Sequence, residues 1–360
     1  MPTEVTNYKC PACTGPLHFD SRNSKLKCDF CDSEFEPEAV ERIYADKEAA
    51  AAAAANAPKW DTAGAGGEWG DEAAKMKAYN CPSCGAQLVC DETTTATSCP
   101  YCGNPTVIPG NFSGMLRPDY ILPFKNSKED AVAALKKFYK GKKLLPKNFS
   151  DQNHINEIKG VYVPFWLFDA KANANLVFDG QKISVHEHGD DTITTTRHYR
   201  VVRSGDVAFA RVPVDGSSKM PDGHMDAIEP FHYAELKAFS SAYLPGFLAE
   251  KYDVDAEASQ SRATERIRNS TISAFEETCR GYDRLNTELA QIELSENSVK
   301  YAMMPVWLLS TQWKGKNFLF AMNGQTGKLV GDLPVSMAKF WAWFAGISIP
   351  LMVILGLIMR

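Results

Sequence analysis

Eight cysteines stand at the spacings that could do chemistry. They fall as Cys10-x2-Cys13 with Cys28-x2-Cys31, and as Cys81-x2-Cys84 with Cys99-x2-Cys102, with fourteen residues between the inner cysteines of each set. A tight Cys-x-x-Cys turn aims two thiolates at one ion, and two such turns complete a tetrahedral four-sulfur site of the kind zinc takes. The expectation is two structural Zn2+ ions, each closed on four sulfurs with no position left for a substrate. A disulfide framework is the rival, but nothing else in the sequence suggests secretion: no apolar stretch follows the start methionine. Cys90 and Cys279 fall outside both sets and read as small buried residues.

Other constellations are weaker. His186-Glu187-His188 puts two imidazoles on one face of a strand, and His198 could approach from the paired strand to make a further metal site. Solvent-facing strand histidines are the plainer reading. Gly324-Gln-Thr-Gly327-Lys328 fails as a phosphate loop. Met322 stands where the spacing needs glycine and Leu329 where it needs Ser or Thr, so a turn between strands is expected. No Gly-x-Ser-x-Gly elbow, His-Glu-x-x-His pair or dinucleotide fingerprint occurs. The chain therefore reads as a non-enzyme with no catalytic residues, no bound organic cofactor and no evident small-molecule substrate.

The elements that must hold these residues are set out by two internal repeats. Every ligand of the first set recurs 71 residues later, as do Pro11 (Pro82), Leu17 (Leu88) and Asp20 (Asp91), so residues 1–44 and 79–112 are expected to be copies of one module. Gly85 and Gly103 close the second copy's knuckles, where a positive φ is needed. Asp32 can adopt it in the first copy, whereas β-branched Thr14 predicts a different turn. Between the modules, residues 45–78 hold an alanine run (49–55) and glycines 64, 66, 67 and 70. They read as a flexible linker whose Trp60 and Trp69 either dock on a partner or pack back.

The second repeat has an offset of 141. Lys159-Gly-Val-Tyr-Val-Pro164-Phe-Trp166-Leu167 parallels Lys300-Tyr-Ala-Met-Met-Pro305-Val-Trp307-Leu308. Each copy reads as a buried strand with its proline near a sheet edge or bulge. Each follows a helix, one from Lys128 to Lys140 capped by Ser127 and one from Ala256 to Arg280 capped by Asp255. Residues 183–214 read as strands turning at Gly189-Asp190-Asp191 and Ser204-Gly205-Asp206, and residues 318–329 as a hairpin. Residues 340–359 carry no charge, and at about 1.5 Å rise each they span a hydrocarbon core of about 30 Å. Trp341, Trp343 and Lys339 stand at the leading end, where interfacial anchors belong. The fold class is multidomain: two small four-cysteine zinc ribbons, an α+β domain built from two related helix-plus-sheet halves (113–335), and a C-terminal transmembrane helix within 336–360. A single pass with the bulk facing the cytoplasm is expected.

Charge separates two function classes. The chain's net charge is −5, and residues 1–112 hold nine Lys/Arg against sixteen Asp/Glu. Residues 79–112 have no Lys or Arg. Binding to phosphate backbones rests on cationic side chains displacing counterions, so a nucleic-acid partner is disfavoured. A membrane-tethered nucleic-acid binder remains the alternative to an adaptor.

The chain resembles a bacterial family of membrane-attached proteins with TFIIB-type zinc ribbons. The residues that carry the likeness are Cys81-Pro-Ser-Cys-Gly85, Cys99-Pro-Tyr-Cys-Gly103, Gly160-Val-Tyr-Val-Pro-Phe-Trp-Leu-Phe-Asp169, Arg211-Val-Pro-Val-Asp-Gly-Ser-Ser-Lys-Met220 and Phe320 to Pro334. Relatives often bear replication or helicase names, yet no helicase motif is present here. Some are encoded beside phage-shock and SPFH-type membrane-scaffold proteins. The resemblance implies an adaptor that brings such partners, or other cytoplasmic proteins, to the membrane in envelope stress.

Overall fold

In the computed structural model the chain forms two compact units, Met1–Lys59 and Trp60–Arg360. The structure describes residues 9–13, 15–20, 23–40, 42–43, 58–96, 98–105, 107–110, 114–146, 149, 157–188 and 191–358. The alanine run, Thr14 and the turn expected at Gly189-Asp190 lie outside them.

The first unit holds a three-stranded antiparallel sheet of β1 (Leu17–Asp20), β2 (Lys25–Cys28) and β3 (Glu34–Phe35) in that order. The second unit begins with β4 (Met76–Asn80), β5 (Gln87–Asp91), β6 (Ile108–Gly110) and β7 (Tyr120–Ile121), followed by α1 (Lys128–Tyr139), β8 (Lys159–His188) and β9 (Asp191–Asp215). It continues with α2 (Asp222–Ile228), β10 (Lys237–Ala238), β11 (Leu248–Glu250), α3 (Ala256–Glu276), β12 (Arg284–Trp313), β13 (Lys316–Asn323), β14 (Leu329–Gly331) and α4 (Met337–Ile358). Its strands form one mixed sheet in the order β10-β7-β12-β8-β11-β5-β4-β6, with β9 on β8 and β13 and β14 extending from β12.

The 141-residue repeat forms the centre of this sheet. Its two copies pair with each other antiparallel, and Val163 lies opposite Met304, its own repeat equivalent. A local two-fold therefore passes between them. Both copies are buried on both faces from residue 160 to 168 and from 301 to 309, as an interior strand with covered faces must be. The prolines sit in the interior of the sheet, not at an edge. Pro164 falls where the outer partner of β8 changes from β11 (through Tyr162) to β9 (from Phe165), and Pro305 where that of β12 changes from β7 to β13. A residue without an N–H costs no ladder bond at such a junction. Each proline carbonyl accepts from the glycine that follows the return strand, Gly216 and Gly324, both at 2.8 Å.

The helices cross over. α1 packs Ala131, Leu135 and Tyr139 against Trp307, Leu309, Phe320 and Met322 of the second repeat. α3 packs Ala263 and Ile267 with Trp166 and Phe168 of the first. Both start as their sequences dictate: Ser127 and Asp130 make a capping box, and Asp255 accepts from the amide of Ala258 at 2.7 Å.

Three further expectations are corrected. β9 runs unbroken through Ser204-Gly205-Asp206, pairing Ala174 with Gly205, because burial of the facing strand outweighs the local turn signal. The expected linker over 45–78 does not extend through Trp60. That ring packs edge-on to Phe168 at 4.9 Å and its Nε1 donates to Thr264, while Trp69 packs on Phe239 at 5.4 Å. Buried Trp60, half-buried Trp69 and the bridge Gly67↔Arg117 make residues 60–78 part of the body. Likewise, residues 79–112 are not a detached module, since β5 lies between β11 and β4 in the main sheet.

α4 begins just ahead of the uncharged stretch, contains Pro350, and buries none of its apolar span. It is long and apolar enough to cross a membrane.

Candidate metal centres

The four Cys-x-x-Cys turns share one backbone construction. The first cysteine of each donates its amide to the carbonyl five residues on: Cys10 to Gly15 (2.7 Å), Cys28 to Ser33 (3.0 Å), Cys81 to Ala86 (2.9 Å) and Cys99 to Asn104 (2.9 Å). In three of them the residue four positions on returns its amide to that cysteine's carbonyl, and each such residue has positive φ: Asp32 (55°), Gly85 (73°) and Gly103 (71°). The left-handed turn brings both thiols of a knuckle to one side, and glycine or aspartate is the residue that tolerates it.

The turns converge as the spacing requires. Cys10, Cys13, Cys28 and Cys31 form one group and Cys81, Cys84, Cys99 and Cys102 another, with the sulfurs of each within 4.8 Å of one another. Cross-knuckle pairs stand 3.6 Å (Cys10–Cys31), 3.4 Å (Cys13–Cys28), 3.6 Å (Cys81–Cys102) and 3.6 Å (Cys84–Cys99) apart. A disulfide needs about 2.05 Å. A tetrahedron of sulfurs at about 2.3 Å from a central ion has edges of roughly 3.8 Å, close to these distances. Each group could hold a metal ion, and four thiolates are a donor set that suits zinc. Ser33, through its hydroxyl and then its amide, holds the exposed Cys31 thiol down at about 6. Burial pushes the Cys84 thiol up to about 11. One thiolate of a tight set discourages the next until a cation neutralises them.

The second group is bolted to the body by contacts that its spacing does not disclose. Tyr101, inside the Cys99–Cys102 knuckle, donates to Glu250 Oε2 at 2.5 Å, and Ser217 donates to Oε1 at 2.8 Å. Glu250 is fully buried at the end of β11, and burial, offset by these two donors, raises its carboxyl to about 8. Lys159 adds a second tie, donating to the hydroxyl of Ser98 and to its carbonyl at 2.7 Å. The only sequence hint of this attachment was that a tyrosine occupies a knuckle. The 71-residue repeat sharpens the contrast. Phe30 holds the same place in the first module and is 78% exposed, whereas Tyr101 is 6% exposed. Phe19, equivalent to buried Cys90, is also exposed.

The remaining candidates resolve differently. Cys90 and Cys279 are buried and donate to the carbonyls of Thr94 and Phe275. The histidine site does not assemble. Register puts His186 opposite Ile193 and His198 opposite Gln181, five residues away along the strand and so on the other face. His198 pairs instead with Asp179 at 2.9 Å. The side chain of His188 is outside the described set. The Asn323–Gly327 segment is a turn whose Asn323 Oδ1 accepts from the amides of Gln325 and Thr326, both at 2.9 Å, and Gln325 in turn contacts Glu235. A further ionic cluster, Arg262 and Arg266 with Asp215, Asp222, Asp226 and Glu229, ties α3 to the end of β9 and to α2.

Among proteins of known sequence, the uncharacterized protein YdjG of Bacillus subtilis (strain 168) is 35% identical over 344 residues, covering 96% of this chain and 94% of that protein. No family model matches the chain, and no solved structure matches it.

Proposed function

This chain belongs to the family of Bacillus subtilis YdjG, and on that premise we propose that it is a non-enzymatic zinc-ribbon adaptor held at the bacterial inner membrane. α4 is the anchor, the two cysteine groups are closed structural zinc sites, and the bulk of the chain faces the cytoplasm. Closed four-sulfur sites stabilise small modules and leave no position for a substrate, which argues for docking over catalysis.

The different environments of Tyr101 and Phe30 carry this reading. In the second ribbon the knuckle aromatic is spent on holding the ribbon to its own body. In the first ribbon the equivalent aromatic, with Phe19, faces solvent on a module of net acidic sequence. Exposed aromatics on a small stapled module are the anchors that protein interfaces favour. The partner is a cytoplasmic or membrane-scaffold protein, the SPFH type being the class implied by the family resemblance, and the setting is envelope stress.

The test places a photo-cross-linking amino acid at Phe30 in the full chain in native membranes. A discrete cross-linked protein that disappears when Cys28→Ser unravels the ribbon supports the adaptor. Cross-links to nucleic acid, or none above those from a probe at exposed Lys182, would overturn it.

A further inference from the structure

α4 leaves the body beside a concentrated positive charge. Ser336 donates its amide to the carbonyl of Leu144 at 2.9 Å, and Lys339 Nζ donates to the carbonyl of Leu145 at 2.6 Å. Lys143 Nζ stands 4.3 Å from the centre of the Trp343 ring, in the second turn of α4. These three contacts hold segment 142–145 against the leading end of the helix. That segment closes a run of five lysines in eight residues, at 136, 137, 140, 142 and 143, all exposed. No Asp or Glu occurs between 131 and 150. The acidic residues of α1, Glu129 and Asp130, lie at its far end, in the first turn. Because α1 buries Ala131, Leu135 and Tyr139 in the body, the lysines of its last turn ride on a rigid platform.

We propose that this lysine platform binds the acidic headgroups of anionic phospholipids and seats the C-terminal end of α1 on the bilayer surface that α4 enters. The inference rests on the reading of α4 as a membrane span. Two independent features select lipid over another polyanion. The patch is tied by the Ser336–Leu144 backbone bond and by the Lys339 and Lys143 side chains to the leading end of α4, where Trp341 and Trp343 stand at the start of the uncharged stretch 340–359, so insertion of that helix brings the lysines to headgroup level. Charge–headgroup attraction fades within a Debye length of about 8–10 Å, so only cations held this near an insertion point contribute strongly. In a chain of net charge −5, the rest of the surface offers no general attraction to anionic lipid.

The test uses the full chain reconstituted in nanodiscs of phosphatidylcholine, with or without phosphatidylglycerol. An amine-reactive reagent is added and labelling is read lysine by lysine by mass spectrometry. Labelling at Lys136, Lys137, Lys140 and Lys142 should fall severalfold in the anionic discs and recover at high salt. Lys182 should not change. A K136Q/K137Q/K140Q variant, which keeps Lys143 on Trp343 and substitutes a residue of similar helix propensity, should lose the protection at Lys142. Equal labelling in both kinds of disc, or protection that appears only when an acidic polypeptide is added, would overturn the inference while leaving the anchor intact. A chain that enters neither disc would remove the anchor reading, and this inference with it.

Discussion

Glu250 offers the sharpest test of how the second ribbon is joined to the body. It is fully buried between Tyr101 of the ribbon and Ser217 of the body. Burial raises its carboxyl from the usual 4.5 to about 8, against the opposing pull of the two donors. For an acid whose folded value is raised, the folded state binds the extra proton between the two values, so stability falls as pH climbs from about 4.5 to about 8. At about 1.36 kcal/mol per pKa unit, the shift corresponds to a loss on the order of 3–5 kcal/mol across that window. Glu250→Gln keeps one acceptor oxygen, puts an NH2 donor where the protonated acid would carry its O–H, and removes the charge. Urea unfolding of the detergent-extracted chain, followed by tryptophan fluorescence at a series of pH values, should show the wild type losing several kcal/mol relative to the variant as pH rises from about 4.5 to about 8, with the difference constant above that. The two should differ little near pH 5. Stability curves that run parallel at every pH would refute the buried acid, as would a variant weaker than wild type in alkali.

Other consequences follow from the same geometry. Cys28→Ser should loosen the first unit alone, whereas Cys99→Ser should also raise proteolytic cleavage across β5 and β11, because β5 pairs directly with β11 in the main sheet. On the proposed zinc reading, each loss removes a site worth on the order of 10 kcal/mol to its fold. Arg262→Ala strands the buried Asp215 carboxylate, whose partner now stands at 2.7 Å, and should cost about 3–5 kcal/mol at neutral pH in chemical denaturation. Because burial already raises the Asp215 carboxyl, the cost should shrink in acid, where that group is neutral in the variant. Removing residues 337–358 should move the chain from the membrane pellet to the soluble fraction after lysis; unchanged pelleting would contradict the anchor.

Features governed by local spacing were legible in the sequence: the eight cysteines, the left-handed turns at Asp32, Gly85 and Gly103, the caps at Ser127 and Asp255, and the apolar final helix. The 141-residue repeat was visible too, but not that its copies pair with each other about Val163 and Met304, since register is a property of two distant segments. The length of β8 and β12, 30 residues each, was hidden by turn-forming residues that neighbouring strands overrule. His198 illustrates the cost of guessing register: a shift by an odd number of residues moved it to the opposite face from His186. The Trp60 and Trp69 linker looked loose by its glycines and is packed by its aromatics. Glu250 gave no signal at all, because a lone glutamate becomes chemically unusual only once Tyr101 and Ser217 close over it.

On the proposed function, two closed thiolate centres, and no open catalytic metal, sit in a chain held at the membrane. Zinc X-ray absorption on the full chain extracted from membranes addresses this most directly. Two zinc ions per chain are expected, each with four sulfur neighbours at about 2.3 Å and no nitrogen or oxygen shell. A zinc content well below two, or a light-atom ligand at either ion, would contradict it.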